Sequence, residues 1–284
     1  MRWIDGVASD DLPADDRGLQ FGDGLFETVA VVDRAPRLLD AHLDRLDHGA
    51  RSLGLPPPDR QTLRDEARTL SAQGAACGVL KIIWSAGSGG RGYARPDTPS
   101  PRRILSFHPA PANPADHWHS GVIVALCQLR LARQPALARL KHLNRLEQVL
   151  ARAEWAGSDA AEGLMLDQDG RVIEGTMSNL FAVDGGTVVT PVLDGAGVAG
   201  VMRGAIMERL TQQGMAVRER ELTVDALSQC EEVFVCNSIN GVWPVRELRQ
   251  ARTWPVGPVT RQLQAWIDEQ RLACTPVARG EEET

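Results

Sequence analysis

The chain has 284 residues, 43% hydrophobic and 24% charged, which is enough apolar material for two moderate domains or one large one and excludes disordered and collagenous classes. A net charge of −6 gives no reason to expect a polyanionic partner such as nucleic acid. The five cysteines (Cys77, Cys127, Cys230, Cys236, Cys274) form no Cys-x-x-Cys pair, and no uncharged stretch is long enough to span a bilayer, so a cytoplasmic protein without zinc, disulfide or membrane partners is expected.

Trp3–Val7 reads as a short strand with a turn and Glu27–Arg34 as a β-branched strand ending in a turn. Leu39, Leu43, Leu46, Ala50 and Leu53 then recur at three and four, predicting a helix over 39–53 closed by Gly54 and Pro56–Pro58. A second helix is predicted over 60–72, followed by the strand Val79–Trp84, a glycine loop over 87–92, and a strand over 102–108. Three prolines between His108 and Pro114 stiffen the chain, and the domain boundary is set there: residues 1–108, a linker over 109–117, a second domain over 118–274 and a disordered tail over 275–284. In the second domain, strands are predicted at 122–127, 164–167, 172–174, 179–183, 187–190 and 232–236, and helices at 145–156 and from Met202 to about Gln213. Strands and helices do not alternate regularly, which favours an α/β fold of the α+β type with two unequal domains over a doubly wound parallel sheet.

Of 31 basic residues only Lys81 and Lys141 are lysines. An amine can form a Schiff base or lose its proton near neutral pH, and a guanidinium can do neither, so a lysine in so arginine-biased a chain is a candidate for chemistry. Lys81 lies mid-strand among apolar neighbours. Gly197–Arg203 leads glycines into a helix start whose amides and dipole favour an anion. Glu174, at the end of an apolar strand, needs a cationic partner if buried. The glycine loop lacks the P-loop ending and is read as a flexible loop presenting Arg91 and Tyr93. A Schiff-base lysine, an anion-binding helix start and a carboxylate for a protonated pyridine nitrogen are what pyridoxal phosphate requires.

The segments Arg17–Thr28, Lys141–Gln148, Met177–Phe181 and Val233–Val245 resemble the fold type IV pyridoxal-phosphate enzymes, which include branched-chain aminotransferases, D-amino-acid aminotransferases and 4-amino-4-deoxychorismate lyases. The resemblance implies a smaller N-terminal α/β domain, a larger C-terminal domain built on a mixed sheet or pseudo-barrel, and a homodimer acting on a small-molecule substrate. It implies that Lys141 forms the Schiff base with the cofactor and Glu174 pairs with the pyridine nitrogen. It further implies that Arg45, the amides of Val201 and Met202, and Asn237–Ser238–Ile239 surround the phosphate, with Asn179 beside the cofactor. Gly87–Tyr93 and Lys141–Gln148 look most like the lyases, implying conversion of 4-amino-4-deoxychorismate to 4-aminobenzoate and pyruvate on the way to folate. Lys81, Arg91 and Tyr93 are candidates for the substrate carboxylates, and Thr28 for relaying a proton to the leaving group. The alternative is a D-amino-acid or branched-chain aminotransferase; a pyridoxal-phosphate-binding protein without turnover would not need Lys141.

Overall fold

The computed structural model describes residues 1–280, which divide into two compact units. The division is not a single cut. The first unit is Met1–Pro111 joined by Leu140–Asn144 and Leu272–Cys274, and the second takes Ala112–Arg139, Arg145–Arg271 and the chain from Thr275. Lys141 therefore belongs to the first unit, although it lies far beyond Pro111 in sequence.

In chain order the first unit contains β1 (Arg2–Ile4), β2 (Val7–Ala8), α1 (Arg17–Phe21), β3 (Gly24–Val32), β4 (Ala35–Pro36), α2 (Leu39–Ser52), α3 (Arg60–Gln73), β5 (Cys77–Ser85) and β6 (Arg102–Pro109). Its six strands form an antiparallel sheet in the order β2-β1-β6-β5-β3-β4. Period-two alternation gives β3 and β5 one face of Leu25, Val29, Val31, Leu80 and Ile82, which packs with Leu43 and Leu46 of α2 and Leu63 and Leu70 of α3. Each such side chain contributes roughly 1.5–3 kcal/mol through burial. Asp59 caps α3 by accepting from the amides of Gln61 and Thr62. The Lys141 segment is an added edge on β3: the Phe26 amide donates to the Lys141 carbonyl at 2.9 Å, and the Leu143 amide to the Gly24 carbonyl at 3.0 Å. Leu140 enters the core and anchors it.

The second unit contains α4 (Asp116–His119), β7 (Val122–Leu131), α5 (Leu146–Glu154), β8 (Glu162–Asp167), β9 (Val172–Gly175), β10 (Asn179–Asp184), β11 (Thr187–Pro191), α6 (Val201–Gln212), β12 (Val217–Arg220), α7 (Val224–Ser228), β13 (Glu232–Asn237), β14 (Gly241–Leu248), β15 (Arg252–Thr253), α8 (Pro258–Glu269) and α9 (Pro276–Arg279). Its mixed sheet runs β12-β11-β10-β13-β14-β7-β8-β9, with β15 on β14. Phe181 and Phe234, on paired strands, stack with centroids 5.2 Å apart in its core. The mixed α/β class thus agrees with the sequence reading.

Two sequence expectations change, and one helix was not anticipated. The tail expected to be disordered from Thr275 begins instead with α9: the Thr275 hydroxyl caps it through the Ala278 amide and also donates to Asp268. Residues 281–284 of that tail lie outside the described residues. The linker expected over 109–117 is taken up at both ends, by Pro109 in β6 and Asp116 in α4, where Trp118 is buried. Helix α8 escaped the periodicity reading because Thr260 and Gln264 interrupt its buried stripe of Val259, Leu263 and Ile267. Gln264 is satisfied there by donating to the Trp118 carbonyl at 2.6 Å.

Candidate active site

The first unit brings three sequence candidates, Thr28, Lys81 and Lys141, to one face of its sheet. On β3, Phe26 and Thr28 share the face opposite the helices, and Thr28 is registered directly across from Lys81 on β5. The added edge brings Lys141 over the same surface, with its Nζ 4.2 Å from the Phe26 ring centroid. The Lys81 Nζ lies 5.4 Å from that ring. Phe26, Thr28, Lys81 and Lys141 are all half-buried, so the two amines share an aromatic platform that offers cation–π attraction. Among the described residues no carboxylate lies within ion-pair distance of Lys81.

Arg45, on α2, reaches Glu27 on β3. Its Nε donates to Glu27 Oε1 at 2.8 Å and its Nη2 to Glu27 Oε2, while His42 Nδ1 lies 2.6 Å from the same Oε2. Burial pushes the Glu27 carboxyl up, but the charge and hydrogen bonds of Arg45, with the hydrogen bond of His42, outweigh it and bring it down to about 2. Burial pushes the His42 imidazole down, against the pull of Glu27 and reinforced by the charges of Arg45 and Lys141. A neutral His42 accordingly donates through Nδ1 to an ionised Glu27, and this pair locks the Arg45 guanidinium. Glu27 and His42 were not singled out in the sequence. The available signal was an acid at an inward position of β3, between Leu25 and Val29, facing a helix stripe that includes His42.

The glycine loop wraps a buried cation. Arg17, at the start of α1, is 3% exposed and its guanidinium faces the loop's carbonyls. Tyr93 packs edge-on to Phe21 with centroids 5.6 Å apart yet is 89% exposed, and Arg91 is exposed beside it.

The second unit assembles the remaining candidates. Glu174, 4% exposed on β9, accepts from the Val198 amide at 2.8 Å through Oε2. The Nδ2 of Asn179, at the start of β10, donates to the carbonyl of the same Val198 at 2.8 Å. Both side chains thereby hold the turn that leads into α6. That turn ends at Gly200, where a Cβ would meet Asn179 Oδ1 at 2.0 Å, so residue 200 must lack one. No side chain caps α6, which leaves the amides of Val201 and Met202 at an N-terminus whose dipole favours an anion. Asn237, Ser238 and Ile239 lie in the β13–β14 connection, whose Asn237 Oδ1 accepts from the amides of Ile239 and Asn240 at 2.9 and 2.8 Å. The Ile239 amide is therefore spent on shaping the turn.

Sequence reasoning also missed Glu162. This buried carboxylate accepts from the amides of Thr176 and Met177 and from the hydroxyls of Thr176 and Ser178, pinning the turn that joins Glu174 to Asn179. Burial raises its carboxyl above the ordinary range even against those hydrogen bonds.

The family model for amino-transferase class IV matches residues 24–248. The chain is 38% identical to an aminodeoxychorismate lyase of Vibrio harveyi over 267 residues, covering 93% of this chain and 98% of the relative. It is similar to the crystal structure of 4-amino-4-deoxychorismate lyase from Pseudomonas aeruginosa, with a TM-score of 0.91, 50% identity and coverage of 95% and 98% of the two chains. A hypothetical aminotransferase from Mycobacterium tuberculosis, in its PLP-bound form, superposes with a TM-score of 0.82 at 25% identity, covering 94% of this chain and 97% of that one.

Proposed function

Since this chain belongs to the amino-transferase class IV family, we propose that it is a pyridoxal-phosphate-dependent lyase that converts 4-amino-4-deoxychorismate to 4-aminobenzoate and pyruvate, a step toward folate. The observation that carries this reading is the 50% identity to a lyase over 95% of the chain, against 25% to the PLP-bound aminotransferase. The residues also fit the cofactor. The uncapped N-terminus of α6 suits a phosphate, and the buried Glu174 suits a protonated ring nitrogen.

When bound, pyridoxal phosphate supplies an aldehyde that condenses with an amine and a ring that accepts electrons released at the substrate carbon. Lys141 is the amine that would hold the cofactor, and, once displaced by the substrate amine, it would be the base for the proton on substrate C4. Glu174 would face the ring nitrogen and hold a proton there. Arg45, fixed by Glu27, and the amides of Val201 and Met202 bind phosphate, with Asn237, Ser238 and Ile239 forming the neighbouring turn and Asn179 holding the approach. Lys81, which carries no counter-ion of its own among the described residues, takes one substrate carboxylate, and Arg91 and Tyr93 approach the substrate from the glycine loop. Thr28, registered beside Lys81, delivers a proton to the departing ether oxygen. Loss of the C4 proton and of the ether oxygen on the neighbouring carbon leaves an aromatic ring, which drives the elimination.

The functional unit in this reading is a cytoplasmic homodimer. Leu146, Val149 and Leu150, spaced three and four apart on α5, are 70, 61 and 53% exposed, an apolar stripe suited to a second copy. Among the described residues no helix is long and apolar enough to cross a membrane.

The test is turnover without an acceptor. Purified protein given 4-amino-4-deoxychorismate alone should release 4-aminobenzoate and pyruvate in equal amounts over many cycles. If reaction stops after one equivalent and resumes only when a 2-oxo acid is added, the protein is an aminotransferase instead.

A further inference from the structure

Arg17 makes an unusual set of contacts for a buried cation. Its Nε donates to Asp23 Oδ2 at 2.9 Å. Its Nη1 faces the carbonyls of Ala94 at 3.1 Å, Gly92 at 3.3 Å and Gly89 at 3.4 Å, and its Nη2 donates to the Tyr93 carbonyl at 3.0 Å. The Arg17 amide is tied to the Gly87 carbonyl at 2.8 Å, at the entrance of the same loop. At the loop's exit, Arg95 donates to both oxygens of Asp23, so one carboxylate joins Arg17 to Arg95. Burial pushes the Asp23 carboxyl up, but Arg95 and Arg17 outweigh it and hold it below the ordinary range.

A carbonyl cluster of this kind would repel itself without a cation at its centre, and the planar guanidinium suits it because its N–H donors diverge in one plane. The loop backbone can converge on Arg17 because residue 90 is glycine at φ 83°: a Cβ there would meet the Ala94 carbonyl oxygen at 2.2 Å and Arg17 Nη1 at 3.2 Å. We infer that Arg17 is a positioning residue, the internal template that sets the shape of loop 88–95 and so aims Arg91 and Tyr93 at the substrate. The role of these two side chains rests on the function proposed above; the templating of the loop does not.

Two variants test it in the full-length, cofactor-loaded protein. Arg17→Lys keeps the charge but gathers its donors on one nitrogen, which cannot serve Asp23 and the carbonyls together. Gly90→Ala keeps the Arg17 guanidinium but blocks the approach of the loop to it, because its Cβ would meet the Ala94 carbonyl oxygen. Both should raise KM for 4-amino-4-deoxychorismate roughly tenfold, the scale of one lost charge-assisted hydrogen bond. kcat and the cofactor absorbance spectrum should change little. Without substrate, trypsin should cut after Arg91 about tenfold faster than in the parent, because cleavage follows the population of the open loop. If Arg17→Lys does not fold, Gly90→Ala decides alone. Unchanged cleavage in the folded variants overturns the template. Faster cleavage with unchanged KM overturns the link to substrate. A parent protein that does not turn over this substrate while the cleavage difference persists removes the proposed reaction and leaves the template standing.

Discussion

Lys141 and Lys81 meet over one ring, with their Nζ atoms 4.2 and 5.4 Å from the Phe26 centroid. A chain whose other 29 basic side chains are arginines thus gathers both of its amines on one face of one sheet. Their surroundings differ in backbone terms: Lys81 is mid-strand in β5, whereas Lys141 sits on the short edge added to β3. Borohydride reduction of the loaded protein should attach the cofactor to the peptide containing Lys141 and leave Lys81 unmodified, as read by mass spectrometry. Label on Lys81 would exchange the roles proposed for the two amines.

Glu174→Gln keeps an acceptor for the Val198 amide and so should preserve the fold and the turn into α6. It removes the charge assigned to the ring nitrogen. Turnover should fall by about 10²–10³, the usual loss for one preorganised electrostatic partner, with cofactor still bound. Near-normal turnover in that variant would show that the charge resides elsewhere.

Gly200→Ala should act through Asn179. The new methyl would meet Asn179 Oδ1 at 2.0 Å, and moving that side chain breaks its bond to the Val198 carbonyl. A stability loss of about 1–3 kcal/mol is expected, together with weaker cofactor binding in a spectroscopic titration. Gly204→Ala, in the same helix but with nothing within 4 Å of its Cβ, is the control and should stabilise by roughly 0.5–1 kcal/mol. Equal behaviour of the two variants would rule out the proposed packing at the helix start.

Acid should destabilise the first unit in two stages. His42 has a folded pKa depressed below 6.5, so the unfolded chain binds more protons once pH falls below that value, and stability declines. Glu27 has a folded pKa of about 2 against 4.5, so its contribution is full above pH 4.5 and is lost as pH falls toward 2. The second stage corresponds to about 3 kcal/mol in scale. Urea denaturation from pH 7 to pH 3 should show both slopes, and His42→Gln should abolish only the upper one. A variant that keeps the upper slope would assign it to another group.

The mixed fold, helices α2 and α3, strands β3 and β5, and the candidacy of Lys141 and Glu174 were legible in the sequence, because periodicity and residue chemistry are local properties that survive without coordinates. The tertiary structure decided which groups those residues meet. Glu27 reaches His42 and Arg45 across 15 and 18 residues, and Arg17 gathers carbonyls 72 to 77 residues away, spacings that no local pattern encodes. The same holds for the chain returning at Leu140–Asn144 to place Lys141 on β3 in the first unit. That depends on two backbone hydrogen bonds and a buried Leu140, which exist only once the sheet that receives them has formed.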